Sequence, residues 1–213
     1  MPNPGVREPQ QARSHNTLER ILSSSTELIS EQSYDDISIS DIANRANISV
    51  GGFYSRFENK DALLAELLTR LGHETQSKIT EALSTDWSNT SLYDLTLFIV
   101  LNNARLYEKY RGALKAIYLK TRVLPDPAND GVRFAYNDKI VAQLETLLLV
   151  KAEQIPHPQP GEVIRIAIAC MTSMLRDAIV FRDTSLFPKP RNVSGISRHI
   201  ANVVYLYLVT ELP

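Results

Sequence analysis

The sequence predicts an all-α protein with a small N-terminal helical domain and a larger C-terminal helical domain. Apolar residues recur at helical spacing along nearly all of the 213 residues, and no segment shows the sustained alternation typical of a strand. Prolines and short polar segments divide this pattern into pieces of helix length. We therefore expect a unit of three helices followed by a bundle of about six.

The N-terminal domain is predicted to comprise residues 16–71, after a flexible arm over residues 1–15 that carries prolines and glutamines and no apolar pattern. Helices are predicted over residues 16–32, 39–46 and 50–57, and Leu18, Ile21 and Leu22 give the first of them an apolar side. A longer helix over residues 60–83 carries a leucine stripe and leads into the next domain.

The C-terminal domain, residues 72–213, is predicted to contain the remaining helices. These are expected over residues 91–110, 112–123, 128–154, 161–182 and 193–211. Prolines mark three of the breaks, at Pro125 and Pro127, at Pro156, Pro158 and Pro160, and at Pro188 and Pro190.

Composition favours a cytoplasmic protein without a membrane span. The longest apolar runs, such as residues 147–150, are far too short to cross a bilayer, and the N-terminus lacks the apolar core of a secretory signal. The single cysteine, Cys170, excludes an intramolecular disulfide. Net charge is −1, and residues 1–72 hold seven Lys/Arg against ten Asp/Glu. Any nucleic-acid binding must therefore come from local placement of charge.

Residues 38–57 combine the features of a helix-turn-helix. Ser38 and Asp41 have the spacing of a capping box, which starts a helix at residue 39. Asn47 tolerates the left-handed conformation of a tight turn, Ser49 is a good N-cap for the next helix, and Phe53 can pack inward. Each feature is common alone, but their order and spacing predict two short helices joined by a turn.

This segment resembles the DNA-binding domain of the TetR (tetracycline-repressor) family of transcriptional regulators over residues 16–71. The matching residues are Ser38-Ile39-Ser40-Asp41-Ile42-Ala43, Asn47-Ile48-Ser49, Gly51-x-Phe53-Tyr54-x-x-Phe57 and Asn59-Lys60-Asp61-x-Leu63-Leu64. Most members have glycine where this chain has Asn47, and many have lysine and threonine where it has Val50 and Gly52. The resemblance implies binding to a double-stranded DNA operator, a homodimer, and a C-terminal domain that binds a small molecule.

The resemblance and the local chemistry together give a set of candidate DNA contacts. They are Ser38, Ser49, Val50, Gly51, Gly52, Tyr54, Ser55, Arg56 and Lys60. We expect the serines at helix N-termini, with Tyr54 and Lys60, to position phosphates. Arg56 is the candidate for a bidentate contact to guanine, and Val50 for contact with a thymine methyl group. The adjacent glycines let the helix backbone approach the duplex closely.

Two helices of the C-terminal domain are apolar on nearly all sides and therefore need cover. The resemblance implies that they meet a second copy of the chain in a four-helix bundle. The predicted interface residues are Ile164, Ala167, Met171, Met174, Leu175, Ile196, Ile200, Val203 and Tyr207. The interpretation that they form only an intramolecular core stays open.

Candidate ligand residues are polar or aromatic groups on otherwise apolar helix faces. They are Asn102, Arg105, Tyr118 and Tyr136, and they favour an apolar or aromatic effector whose identity the sequence does not give.

Function is predicted to be that of a ligand-responsive repressor, neither an enzyme nor a protein that needs a cofactor. His15, His73, His157 and His199 are scattered along the chain, and no metalloprotease, nucleophile-elbow or phosphate-loop motif is present. The alternative is a TetR-fold module that binds a ligand or a protein but no DNA, which the acidic balance of the N-terminal residues favours.

Overall fold

A computed structural model describes residues 12–123, 138–187 and 192–211. Within these ranges the chain forms nine α-helices and no strand, which confirms the all-α prediction. The helices are α1 (Ala12–Glu31), α2 (Ile39–Arg45), α3 (Val50–Tyr54), α4 (Lys60–Leu83), α5 (Leu92–Lys109), α6 (Arg111–Val123), α7 (Asp138–Leu149), α8 (Pro160–Leu175) and α9 (Val193–Val209). None of the described helices is both long and apolar enough to cross a membrane.

Side-chain caps explain where several helices begin. Ser38 and Asp41 form the reciprocal capping box of α2, and Ser49 accepts a hydrogen bond from Gly52 N at the start of α3. Asn192 caps α9 in the same way, accepting from Gly195 N at 2.8 Å. The helix α8 starts with Pro160 in its first turn, where a missing N–H has no intrahelical partner to lose.

The first of two compact units contains the described residues 12–72 and 110–123. It extends beyond the predicted range of 16–71 because α6 packs on α1. The approach is close: a Cβ added to Gly112 would lie 2.1 Å from the carbonyl oxygen of Ile29. Only glycine fits this contact between the start of α6 and the end of α1.

The second unit contains the described residues 73–109, 138–187 and 192–211. Its core lies where α9 packs on α5 and α8, and where α8 packs on α7. Leu92, Leu95, Ile164 and Leu175 are fully buried there.

Several boundaries differ from the predicted ones. Residues 1–11 of the predicted arm lie outside the described residues, and α1 already begins at Ala12. The third helix ends at Tyr54, because Arg56 N bonds to Phe53 O and tightens the chain into a turn. The predicted helix over 161–182 changes at Arg176–Val180 into a π-helical turn. Helix α7 ends at Leu149, and the part of its predicted range from 128 to 137 lies outside the described residues.

Candidate nucleic-acid interface

The turn between α2 and α3 is built as the sequence predicts. Asn47 has a φ of 51°, the left-handed conformation that lets the chain reverse direction after α2. Ile48 N then donates to Ala43 O at 2.9 Å, which satisfies a carbonyl near the end of α2. The next residue, Ser49, caps α3, so the two helices meet at a fixed corner.

Arg20 of α1 fastens this turn from outside the motif. Its Nε donates to Ala46 O at 3.0 Å, and its terminal nitrogen donates to the carbonyl oxygen of Asn47. A guanidinium group can donate in two directions at once, so one side chain fixes both carbonyls after α2. The sequence analysis missed this residue, because the contact joins positions 26 residues apart and no local pattern signals it.

Two phenylalanines hold α3 against the rest of the unit. Phe53 and Phe57 are fully buried, and their ring centroids lie 5.5 Å apart. Val50 and Tyr54, four residues apart on the opposite side, are 41% and 48% exposed. We call the surface of Val50, Gly51 and Tyr54 the α3 face. The predicted division between inward and outward aromatic residues therefore agrees with the burial of these side chains.

The two glycines of α3 are not needed by the fold. A Cβ added to Gly51 would meet only Ser49 Oγ, at 3.8 Å, an ordinary contact distance. At Gly52 the nearest atoms would be Ser49 Oγ at 3.4 Å and Ile48 Cβ at 3.5 Å. A glycine inside a helix costs about 1 kcal/mol relative to alanine. The corner therefore carries a local loss of stability that no internal contact explains.

The candidate serines have partners within the unit. The Ser38 hydroxyl donates to Asp41 Oδ2 at 2.6 Å. This hydrogen bond and a second one from the Ser38 amide together lower the pKa of Asp41. The Ser55 hydroxyl donates to Gly52 O at 2.7 Å. Ser49 Oγ accepts from Gly52 N, which leaves its hydroxyl proton to be directed elsewhere. Ser49 is therefore the best placed of the three to donate to a phosphate.

The cations near the corner are held by acceptors within the unit. The guanidinium group of Arg45, at the end of α2, makes two bonds to the carboxylate of Glu31, at 2.9 and 3.3 Å. Lys60 Nζ donates to Tyr34 O and Ile37 O, both at 2.7 Å, and lies 4.6 Å from the centre of the Tyr34 ring. Lys60 was predicted to position a phosphate, and a phosphate must compete with these carbonyls for it. Arg56 is half-buried in the turn after α3.

A polar cluster lies beside Lys60, where α4 begins. The Tyr34 hydroxyl donates to Asp61 Oδ1 at 2.9 Å, and Lys120 of α6 forms an ion pair with the same oxygen. Burial and the Asp61 carboxylate raise the pKa of Tyr34. Partial burial opposes ionisation of Asp61, but the hydrogen bonds from Lys120 and Tyr34 outweigh it and lower the pKa of this carboxyl group. The cluster therefore ties α6 and the α1–α2 loop to the start of α4.

The predicted dimer interface needs correction. Six of its nine residues, Ile164, Ala167, Met171, Leu175, Ile196 and Ile200, are at most 4% exposed in the single chain. They pack in the core of the second unit and have no surface to give to another chain. Of the other three, Val203 is 53% exposed, and Met174 and Tyr207 are half-buried.

Both α8 and α9 carry exposed residues, most of them apolar. They are Ile166, Ala169, Cys170, Ser173, Val203 and Leu206, and we call them together the α8–α9 face. Ile166, Val203 and Leu206 are each between 45% and 58% exposed. Ile166, Ala169, Cys170 and Ser173 follow the spacing of one helical stripe, so they present a continuous surface.

The second unit also contains a small cleft between α4, α5 and α7. It is lined by Thr75, Lys78, Ile79, Ala82, Phe98, Ile99, Asn102, Asn103, Leu106, Leu144 and Leu147. Of the predicted ligand residues, Asn102 is among them. Arg105 is exposed outside this lining, Tyr118 is buried in the first unit, and Tyr136 lies outside the described residues.

Comparison with known proteins gives a family match in the N-terminal part of the chain. Residues 21–67 match the model described as bacterial regulatory proteins, tetR family. An uncharacterized HTH-type transcriptional regulator of Bacillus subtilis, YvdT, is 34% identical over 79 residues, which are 37% of this chain and 41% of that relative. The match thus spans about two fifths of the relative's length.

Solved structures share the fold over most of the chain. A TetR transcription regulator from Haloarcula marismortui has a TM-score of 0.68 at 18% identity, over 91% of this chain and 97% of its own. A putative TetR-family regulator from Mesorhizobium loti has a TM-score of 0.65 at 17% identity, over 93% of this chain and 98% of its own. At such identities the likeness is one of fold.

Proposed function

We propose that this chain, whose residues 21–67 match the tetR family of bacterial regulatory proteins, is a homodimeric regulator that binds a specific DNA operator. We propose further that it is a repressor, which releases the operator when a small molecule binds to the second unit. The observation that carries the proposal is the α2–α3 corner. Buried Phe53 and Phe57 anchor α3 there, while Val50 and Tyr54 are left exposed.

A homodimer follows from the small size of this surface. A helix of five residues offers little contact area, and specific binding by such motifs uses two copies, spaced roughly 34–36 Å apart along one duplex. The α8–α9 face supports this assembly, because Ile166, Val203 and Leu206 form an exposed apolar surface in the single chain. A second copy of the same face would cover it in a closed two-fold dimer.

The cleft lined by Asn102 supports a small-molecule effector. Its lining is mostly apolar and includes the polar side chains of Thr75, Lys78 and Asn102, as is typical of sites for small molecules. Asn102 Nδ2 donates to Phe98 O at 2.9 Å, which fixes the amide against its own helix. A compact apolar compound with one or two polar groups fits this chemistry best.

Selection from a random duplex pool tests DNA binding and identifies the operator in the same experiment. Full-length protein at low salt should enrich a sequence with two-fold symmetry, and the affinity for it should fall steeply as salt increases. Tyr54→Ala should weaken binding to the enriched duplex, whereas Tyr93→Phe, a change in the second unit, should leave it intact. Failure to enrich any sequence under these conditions contradicts the proposal.

The second candidate is a ligand- or protein-binding module of the same fold that binds no DNA. The hydrogen bonds that Arg45 and Lys60 already donate within the unit favour such a module. To reach a phosphate, these cations would have to give up those bonds. The two functions differ in the selection experiment. A module without DNA binding enriches nothing, yet it still binds apolar compounds and changes its melting temperature with them.

A further inference from the structure

We propose that α3 reads its operator half-site through the C5-methyl groups of thymine, with Val50 and Tyr54 as the specificity-determining residues. This inference rests on the proposed function and adds the chemistry of base recognition. It predicts A·T base pairs where α3 meets the major groove. It adds the α3 face to Arg56, the guanine reader expected from the sequence, and it gives Tyr54, expected to position a phosphate, a base contact.

The α3 face presents two large, exposed side chains. Val50 and Tyr54 lie one helical turn apart and are both close to half exposed, so they present two apolar groups along one line. The Tyr54 ring is held edge-on to Phe53, with centroids 5.7 Å apart, and Phe53 is fully buried. The position of the ring is therefore set by the core and not by solvent.

Gly51 lies between these two side chains and adds no bulk. A Cβ at this position would meet only Ser49 Oγ, at 3.8 Å, so the glycine leaves open space that the fold does not fill. A methyl group that projects from a base edge can enter this space beside Val50. Because Gly51 has no side chain, Val50 can come close to the floor of the major groove.

Two of the cations near the corner already form hydrogen bonds within the unit. Arg45 is bound through two hydrogen bonds to Glu31, and Lys60 is bound to the carbonyls of Tyr34 and Ile37. Guanine readout requires an arginine or lysine directed at the base edge. The exposed side chains of α3 itself offer apolar contact instead, and in the major groove the thymine methyl group is the apolar feature of a base pair.

Deoxyuridine provides the test, because it differs from thymidine only in lacking the C5-methyl group. Full-length protein is first used to select its operator from a random duplex pool, and each thymine is then replaced in turn by uracil. At the thymine that α3 contacts, affinity should fall about fourfold for one half-site, and about fifteenfold when both symmetric positions are changed. Binding by fluorescence anisotropy measures these ratios.

The variant Val50→Ala tests whether the effect of uracil depends on Val50. The residue is exposed, and alanine is the stronger helix former, so the variant keeps the fold. It should bind the thymine operator more weakly and show little or no further loss on uracil replacement at the contacted position. Leu119→Ala, an exposed leucine of α6 at 48% exposure, is the matched control and should keep the full uracil effect.

The possible outcomes separate this inference from the proposed function. An enriched operator that is insensitive to uracil at every thymine overturns methyl readout and leaves DNA binding intact. A uracil effect that persists unchanged in both Val50→Ala and Tyr54→Ala overturns the assignment to the α3 face. No enrichment at all contradicts the proposed function itself.

Discussion

The α2–α3 corner and the α8–α9 face differ in how their contacts are encoded. At the corner, the caps and the turn join residues three to five positions apart, as between Ser38 and Asp41 or between Ser49 and Gly52. On α8 and α9, a residue's environment depends on which distant helices cover it. The burial of Phe53 and Tyr54 agrees with their predicted directions, whereas six of the nine residues predicted for the dimer interface lie in the core of the second unit.

The difference follows from the kind of information that each pattern carries. A cap or a left-handed asparagine has one local geometry, so its type and spacing predict its contacts. A helix that is apolar on all sides gives no signal about which side faces its own core. Ile164 and Ile166 are two residues apart and equally apolar, yet one is fully buried and the other is 45% exposed.

The largest expected effect tests the α8–α9 face. Leu206→Glu places a charge on the proposed two-fold contact, and its desolvation should weaken the dimer at least a hundredfold. Light scattering behind size-exclusion chromatography should show a monomer at micromolar concentration, with operator affinity reduced in parallel. Leu119→Glu adds the same charge at an exposed leucine of the first unit and should leave the dimer intact. A dimeric Leu206→Glu protein would falsify the assignment of this face.

The next effect tests a contact that no local pattern predicts. Gly112→Ala places a Cβ 2.1 Å from Ile29 O, so α6 must move away from α1. We expect a loss of about 2–4 kcal/mol in the free energy of unfolding, measured by urea denaturation.

Gly51→Ala is the opposite case, because the added Cβ has room. The variant should raise stability by up to about 1 kcal/mol and lower operator affinity. Equal effects at the two glycines would contradict this distinction.

A smaller effect separates the capping role of Ser49 from contact with DNA. Ser49→Ala removes the acceptor for Gly52 N and should cost about 1 kcal/mol of stability. Ser49→Asp keeps a capping acceptor and should retain stability, but its negative charge should repel a phosphate and reduce operator affinity. If Ser49→Asp retains operator affinity as well as stability, and Ser49→Ala loses no more affinity than its loss of stability explains, Ser49 is a cap alone.

The smallest effect concerns the ion pair of Asp61. Its folded-state pKa lies below the ordinary value, so ionised Asp61 stabilises the fold above a pH of about 4, and this contribution is lost as the pH falls through the lowered pKa. Because the pair is partly exposed, the contribution at pH 7 should stay below about 1 kcal/mol. Asp61→Asn should therefore lower the melting temperature slightly at pH 7, and its difference from the parent protein should shrink as the pH falls below about 4.

Most of the fold could be predicted from the sequence, because helix periodicity and breaks are local. The bounds of α4 agree with the predicted ones at both ends, and α2 differs by one residue. Contacts between remote segments could not be predicted. Arg20 reaches the turn after α2 from α1, and Lys120 reaches Asp61 from α6, and neither spacing carries a pattern.

The close approach of Gly112 to Ile29 has a consequence for local opening of the chain. Helices α1 and α6 lie far apart in sequence, yet Gly112 lies directly against the backbone and the Cγ2 atom of Ile29. Neither helix can shift along the other without breaking the contact. Their amide hydrogens should consequently exchange with solvent through one shared opening event, with one free energy, as a single cooperative unit of the protein.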